Sequence, residues 1–133
     1  MQSDGLILFA HGARDPRWAA PFEAVAARIR AQRPQLQVQL AFLELMTPDL
    51  ATAGATLAAA GCRRVQVLPM FLGTGGHLRR DLPPMVAQLQ AQHPQVQWQL
   101  QAAVGEHPLV GEAMAAAALA LLADASTAGQ ERA

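Results

Sequence analysis

Four segments of strand character recur along the chain, and each is followed by a segment long enough for a helix. The first, Gly5 to Ala10, is an unbroken apolar run that stops at His11-Gly12, the pattern of a strand buried on both faces. Leu36, Val38, Leu40 and Phe42 alternate with Gln35, Gln37, Gln39 and Ala41, as in a strand with one wet side. Val65 to Leu72 is mostly apolar again. Val96, Trp98, Leu100 and Ala102 alternate with Gln95, Gln97, Gln99 and Gln101. Trp18, Phe22, Val25 and Ile29 share one helical stripe, closed by Pro34. Thr47-Pro48 can serve as N-cap and first residue of a second helix, running to Gly61. A third helix follows the glycines at 73–76, with Pro83 and Pro84 tolerable only in its first turn. Pro108 opens a fourth, ending near Asp124.

Strands that alternate with helices predict an α/β fold: a four-stranded parallel sheet with helices on both faces, a three-layer flavodoxin-like sandwich. The continuously apolar first and third strands belong in the middle and the alternating second and fourth at the edges. With right-handed crossovers the simplest order is 2-1-3-4. One domain then spans residues 1–133, with 126–133 as a flexible tail. The first and third strands lie side by side while their following connections diverge. Ligands of open α/β sheets bind at such a switch point, beyond the carboxyl ends of the strands.

Composition narrows the function. A hydrophobic fraction of 52% with 15% charged residues excludes a disordered chain. A net charge of zero and a pI near 6.9 argue against a general nucleic-acid binder or a ligand of acidic membranes. The single cysteine, Cys62, excludes an internal disulfide and a Cys-cluster zinc site. The apolar runs Leu6 to Ala10 and Ala113 to Ala123 are too short for a signal peptide or a membrane span, so a soluble cytoplasmic protein is expected. Gly73-Thr-Gly-Gly76 is no dinucleotide fingerprint, because Leu78 stands where the last glycine belongs; no organic cofactor is expected.

Three of the four histidines map to the carboxyl rim. His11, with Arg14 and Asp15, follows the first strand; His77 follows Gly73, Thr74, Gly75 and Gly76 after the third; His107, with Glu106, follows the fourth. His93 lies at the opposite end of the sheet. With that strand order, the rings of His11 and His77 can approach within reach of one divalent metal ion, for which imidazole is a common ligand; the alternative is that either one caps a loop or helix. Two imidazoles leave coordination positions open, as a transfer site requires. Glu44, at the end of the second strand, can act as a third ligand, a proton handler or a partner for helix-start amides. Glu106 and His107 suit a helix entry or a ligand contact. Arg14 and Arg17 on one loop, and Arg79 and Arg80 on the other, suit a ligand that bears carboxylates. With no acidic cluster after the first strand, phosphoryl-acceptor chemistry is not expected.

These residues resemble a known family in four places. His11-Gly-Ala-Arg-Asp-Pro16, Phe42-Leu-Glu44 with Pro48, Pro69-Met-Phe-Leu-Gly-Thr-Gly-Gly-His77 with Asp81-Leu-Pro83, and Gly105-Glu-His-Pro108 are similar, in order and over residues 5–122, to elements of the small class II chelatases of the CbiX/SirB type. That family inserts cobalt, nickel or iron into sirohydrochlorin. The resemblance implies that His11 and His77 hold the metal and that His11 accepts pyrrole protons. It implies contact between the tetrapyrrole and Thr47, Leu72, Gly73, Thr74, Gly75 and Gly76. It further implies a homodimer, because the short forms correspond to half of the longer two-domain chelatases. Ala13 stands where the family usually has serine, and Thr47 where it often has a larger or charged residue. Cobalt is the expected metal, with Fe2+ and Ni2+ as alternatives. The competing readings are a tetrapyrrole or metal carrier without turnover, and a flavodoxin-like interaction domain with no metal affinity.

Overall fold

The computed structural model describes residues 3–132, with side chains through residue 125. Strands β1 (Ser3–Ala10), β2 (Gln37–Phe42), β3 (Cys62–Pro69) and β4 (Gln97–Leu100) form one parallel sheet. Its order is β2-β1-β3-β4, as the strand patterns predict. A 3-10 turn, Pro16–Ala19, leads into α1 (Ala20–Gln32); α2 is Leu50–Ala59 and α3 is Gly76–Gln92. A second 3-10 turn, Val104–Glu106, leads into α4 (Pro108–Arg132).

The sheet divides the core in two. Ile7 and Phe9 of β1 pack with Val65, Val67, Leu57 and Leu89 under α2 and α3. Leu8 points the other way, to Ala26 of α1 and Val38 of β2. All three β1 residues are fully buried, which is why that strand is apolar without alternation. On β4, Trp98 and Leu100 join the cluster under α3, while Gln97 and Gln99 face solvent on the side of α1. There the Gln66 amide donates to the Gln99 carbonyl at 3.1 Å, and the Gln101 amide donates to that of Gln66. The α1-side face of β3 and β4 is therefore a glutamine ladder.

Four local expectations are corrected. The N-cap of α2 is Asp49 and not Thr47: the Asp49 carboxylate accepts from the Thr52 amide at 2.8 Å, and the peptide before Pro48 is cis. Those hydrogen bonds hold the Asp49 carboxyl below its usual range. Asp49→Ala is expected to cost ~1 kcal/mol and a few degrees of Tm, read by thermal melts. Pro83 and Pro84 lie inside α3, not in its first turn. They deprive the Arg79 and Arg80 carbonyls of donors, which is tolerated because both residues face water. On α1 it is Ala26 that faces the core, while Val25 is 37% exposed. The helical backbone of α4 runs past Asp124 to Arg132, with no proline to stop it. The tail expected over 126–133 falls on residues whose side chains lie outside those described.

Candidate functional site

The carboxyl ends of β2, β1 and β3 stand side by side, and their loops are fastened to each other by main-chain bonds. The Leu43 amide donates to the Ala10 carbonyl at 2.9 Å and the Glu44 amide to the His11 carbonyl at 3.0 Å. On the other side, the Met70 amide donates to the Phe9 carbonyl at 2.7 Å. The turn before α4 joins them, its Gly105 amide donating to the Phe71 carbonyl at 2.9 Å.

Two glycines permit these approaches. Gly12 has φ +93°, and a Cβ there would lie 1.8 Å from the Glu44 carbonyl oxygen. At Gly105 a Cβ would meet the Leu72 carbonyl oxygen at 2.1 Å. Neither contact leaves room for a side chain. Gly73, Gly75 and Gly76 differ: a Cβ at any of them would meet nothing within 4 Å. That stretch borders open space, as close approach of a flat ligand requires.

His11 is exposed on β1's exit, its ring packed against that of Phe71 at a tilt of 36°, with centroids 4.6 Å apart. Phe71 is itself buried, so it fixes one face of the imidazole and leaves the other for a ligand. His77 is the second residue of α3 and is exposed. The N-cap of α3, Gly75, offers no side-chain acceptor, so the first-turn amides of that helix also face the rim. Glu44 is exposed beside His11, to which its main chain is bonded. Among the described residues, no three His, Cys, Asp or Glu side chains converge as a metal cage.

Arg14 and Thr47 come together in an open cleft of about 340 Å3, with Ala13, Phe42, Leu45 and Met46. Leu45, 59% exposed there, holds a left-handed φ of 66°, a conformation that costs a non-glycine residue ~1 kcal/mol. Leu72 is 71% exposed on the far side of His11. The cleft and the glycine loop thus flank His11 from β2 and β3 respectively.

The four rim arginines divide. Arg17 forks onto Asp15, with its Nη2 2.8 Å from Oδ2. The pair lowers the Asp15 pKa and raises that of Arg17. Arg79 donates from Nε to the Thr74 hydroxyl at 3.3 Å and stands 4.0 Å from Glu106. Among the described residues Arg14 and Arg80 form no ion pair. Glu106 accepts from the Ala103 amide at 3.2 Å, and His107 Nδ1 accepts from the Leu109 amide at 3.2 Å, so both act as caps. His93 ends α3 at the opposite side of the sheet, its carbonyl bonded to the Trp98 indole.

Phe71, Gly12 and Gly105 have site roles that the sequence reading passed over. Phe71 reads as one more apolar residue of the third strand, and only the geometry shows it under His11. A glycine directly after a strand-ending histidine is a visible signal, and its positive φ gives it meaning.

The sequence matches the CbiX family over residues 5–120. A sirohydrochlorin cobaltochelatase of Methanopyrus kandleri is 31% identical over 61% of this chain and 57% of its own length. One from Saccharolobus islandicus is 32% identical over 62% of each. The chain thus spans about three fifths of these curated relatives. A crystal structure of a putative cobalamin biosynthesis CbiX protein from Marinobacter aquaeolei superposes with TM-score 0.80 at 32% identity, covering 91% of this chain and 98% of that one. The sirohydrochlorin chelatase SirB of Bacillus subtilis, solved with cobalt, shares the fold at TM-score 0.68 and 22% identity, over 77% of this chain and 44% of that one. In the match that spans most of its length, and in the sheet order that carries the rim, this chain belongs to the CbiX family.

Proposed function

We propose that the protein inserts a divalent metal ion, cobalt before iron or nickel, into sirohydrochlorin. The observation that carries this reading is the placement of His11 and His77 on the exits of the two central strands, with an open cleft on one side and an open glycine loop on the other. His11 and His77 hold the incoming metal. Two neutral imidazoles bind a borderline ion while leaving positions free, so the ion can pass to another ligand. Insertion of a 2+ ion releases two pyrrole protons. His11 accepts them in turn, and Glu44 beside it relays them to water. Leu72, Gly73, Thr74, Gly75, Gly76 and Thr47 contact the macrocycle, and Arg14 takes one of its carboxylates.

The names of the relatives support cobalt and sirohydrochlorin as first choices. The iron-bound form of Bacillus subtilis SirB, at 22% identity, supports the fold alone. In the longer chelatases a second domain shares the chain; here a second copy takes its place as a homodimer. A buried free thiol at Cys62 accords with work in the reducing cytoplasm.

The test is an anaerobic absorbance time course of protein with sirohydrochlorin and Co(II), against a no-protein control. Faster appearance of the metallated spectrum is expected. A pigment shift with no rate gain would replace the enzyme by a carrier. No change of either kind would leave the rim histidines without a tetrapyrrole role.

A further inference from the structure

We infer that Arg79 reads a carboxylate of the substrate on the glycine-loop side of His11, and that it gives up Glu106 to do so. The inference rests on the tetrapyrrole reading above and deepens it by naming a residue that selects for an acidic macrocycle.

Arg79 stands in the first turn of α3, two residues after His77, and its guanidinium spans two separate loops. Its Nε donates to the Thr74 hydroxyl of the glycine loop at 3.3 Å, and its Nη2 lies 4.0 Å from Oε1 of Glu106 in the turn after β4. The second separation is beyond hydrogen-bond range. A guanidinium carries five N–H donors, and among the described residues Arg79 uses only the one on Nε. Arg17 shows the contrast, forking onto Asp15 through three hydrogen bonds of 2.8–3.2 Å. The Arg17 pair is closed, whereas the Arg79–Glu106 pair is open, with both side chains exposed, and contributes little. Glu106 is held back from closing it, because its other oxygen, Oε2, accepts from the Ala103 amide at 3.2 Å. A carboxylate on the rim of a macrocycle seated against the loop is not so tethered. It can meet both Nη groups in the planar fork that Glu106 does not complete.

That fork would also fasten the loop. Gly73, Gly75 and Gly76 have no neighbour within 4 Å of a Cβ position, and so glycine-rich a stretch loses much freedom when it is ordered. The guanidinium that takes the carboxylate is the one bonded to Thr74, and the Arg79 amide donates to the Gly75 carbonyl at 3.1 Å. Carboxylate binding and loop ordering therefore reinforce each other. Arg14, in the cleft on the β2 side, supplies the opposite point of the same grip.

The test is a double-substitution cycle, read as the Kd of metal-free sirohydrochlorin by anaerobic absorbance titration and as the kinetics of Co(II) insertion. Arg79→Met is expected to raise Kd and KM by about 10-fold or more with kcat within about threefold, and Arg79→Lys to recover only part of that loss. Glu106→Gln keeps an oxygen for the Ala103 amide and removes the competing charge. It is expected to lower Kd by about fivefold when Arg79 is present and by about twofold or less in the Arg79→Met background. Both side chains are exposed, so the melts of all variants should coincide with that of the unaltered chain. Unchanged Kd and KM in Arg79→Met, with turnover intact, would overturn this inference and leave the chelatase reading standing. An equal gain from Glu106→Gln in both backgrounds would mean that Glu106 acts by charge alone, and would overturn the exchange. An unaltered chain that neither bound nor metallated sirohydrochlorin would overturn the chelatase reading, and this inference with it.

Discussion

His77→Ala is expected to abolish cobalt insertion into sirohydrochlorin while the Tm moves by less than a degree or two. The side chain is exposed at the second position of α3. Among the described residues its ring makes no hydrogen bond or ion pair, so its loss removes the proposed ligand and leaves the packing intact. A single imidazole, on His11, would then hold the ion. Losing one of two ligands should lower kcat/KM by at least about 100-fold, since a transferring site has few contacts to spare. His93→Ala serves as the control. His93 lies at the other end of the sheet, tilted against Trp98 with centroids 5.9 Å apart, and turnover should be unchanged. If His77→Ala retained turnover, or if His93→Ala matched its loss, the assignment of the metal to the carboxyl rim would be wrong.

Gly12→Ala is expected to cost ~3 kcal/mol or more of stability, through two independent terms. Its φ of +93° is a conformation that L side chains rarely adopt, worth ~1–2 kcal/mol. The added Cβ would also fall 1.8 Å from the Glu44 carbonyl oxygen, so the loop after β2 must move. The move breaks the 3.0 Å bond between the Glu44 amide and the His11 carbonyl. Unlike His77→Ala, this substitution should lower Tm and turnover together, as denaturant melts and the absorbance assay would read in parallel. A normal melt for Gly12→Ala would mean that the loops are held by something other than this contact.

The sheet was legible because burial writes itself into strand alternation. Ile7, Leu8 and Phe9 are apolar in sequence because both faces of β1 are covered, and the glutamines of β4 alternate because one face is not. That asymmetry, joined to the right-handedness of crossovers, was enough to order the strands. The N-cap of α2 was misplaced because Thr47 and Asp49 are both good caps flanking Pro48, and only the backbone decides between them. Pro83 and Pro84 misled for a related reason. Propensity places prolines at helix starts, but an exposed helix face can hand its unmet carbonyls to water. In the site, the histidines and the glycine loop stood out as residue types. Of the glycines with steric work, Gly12 was marked only by its place after His11 and Gly105 by nothing nearby, because a contact with a carbonyl many residues away leaves no local pattern.

The backbone contacts at Gly12 and Gly105 also set how this rim can change over generations. Loop lengths are pinned, since one inserted residue in 11–16 or 102–106 would pull a main-chain glycine off its facing carbonyl. What remains variable is the side chains that border the open space, among them Ala13, Thr47 and Leu72. Under the proposed function, such a scaffold can therefore trade one macrocycle for another by point substitution, while the arrangement that presents the two histidines is kept whole.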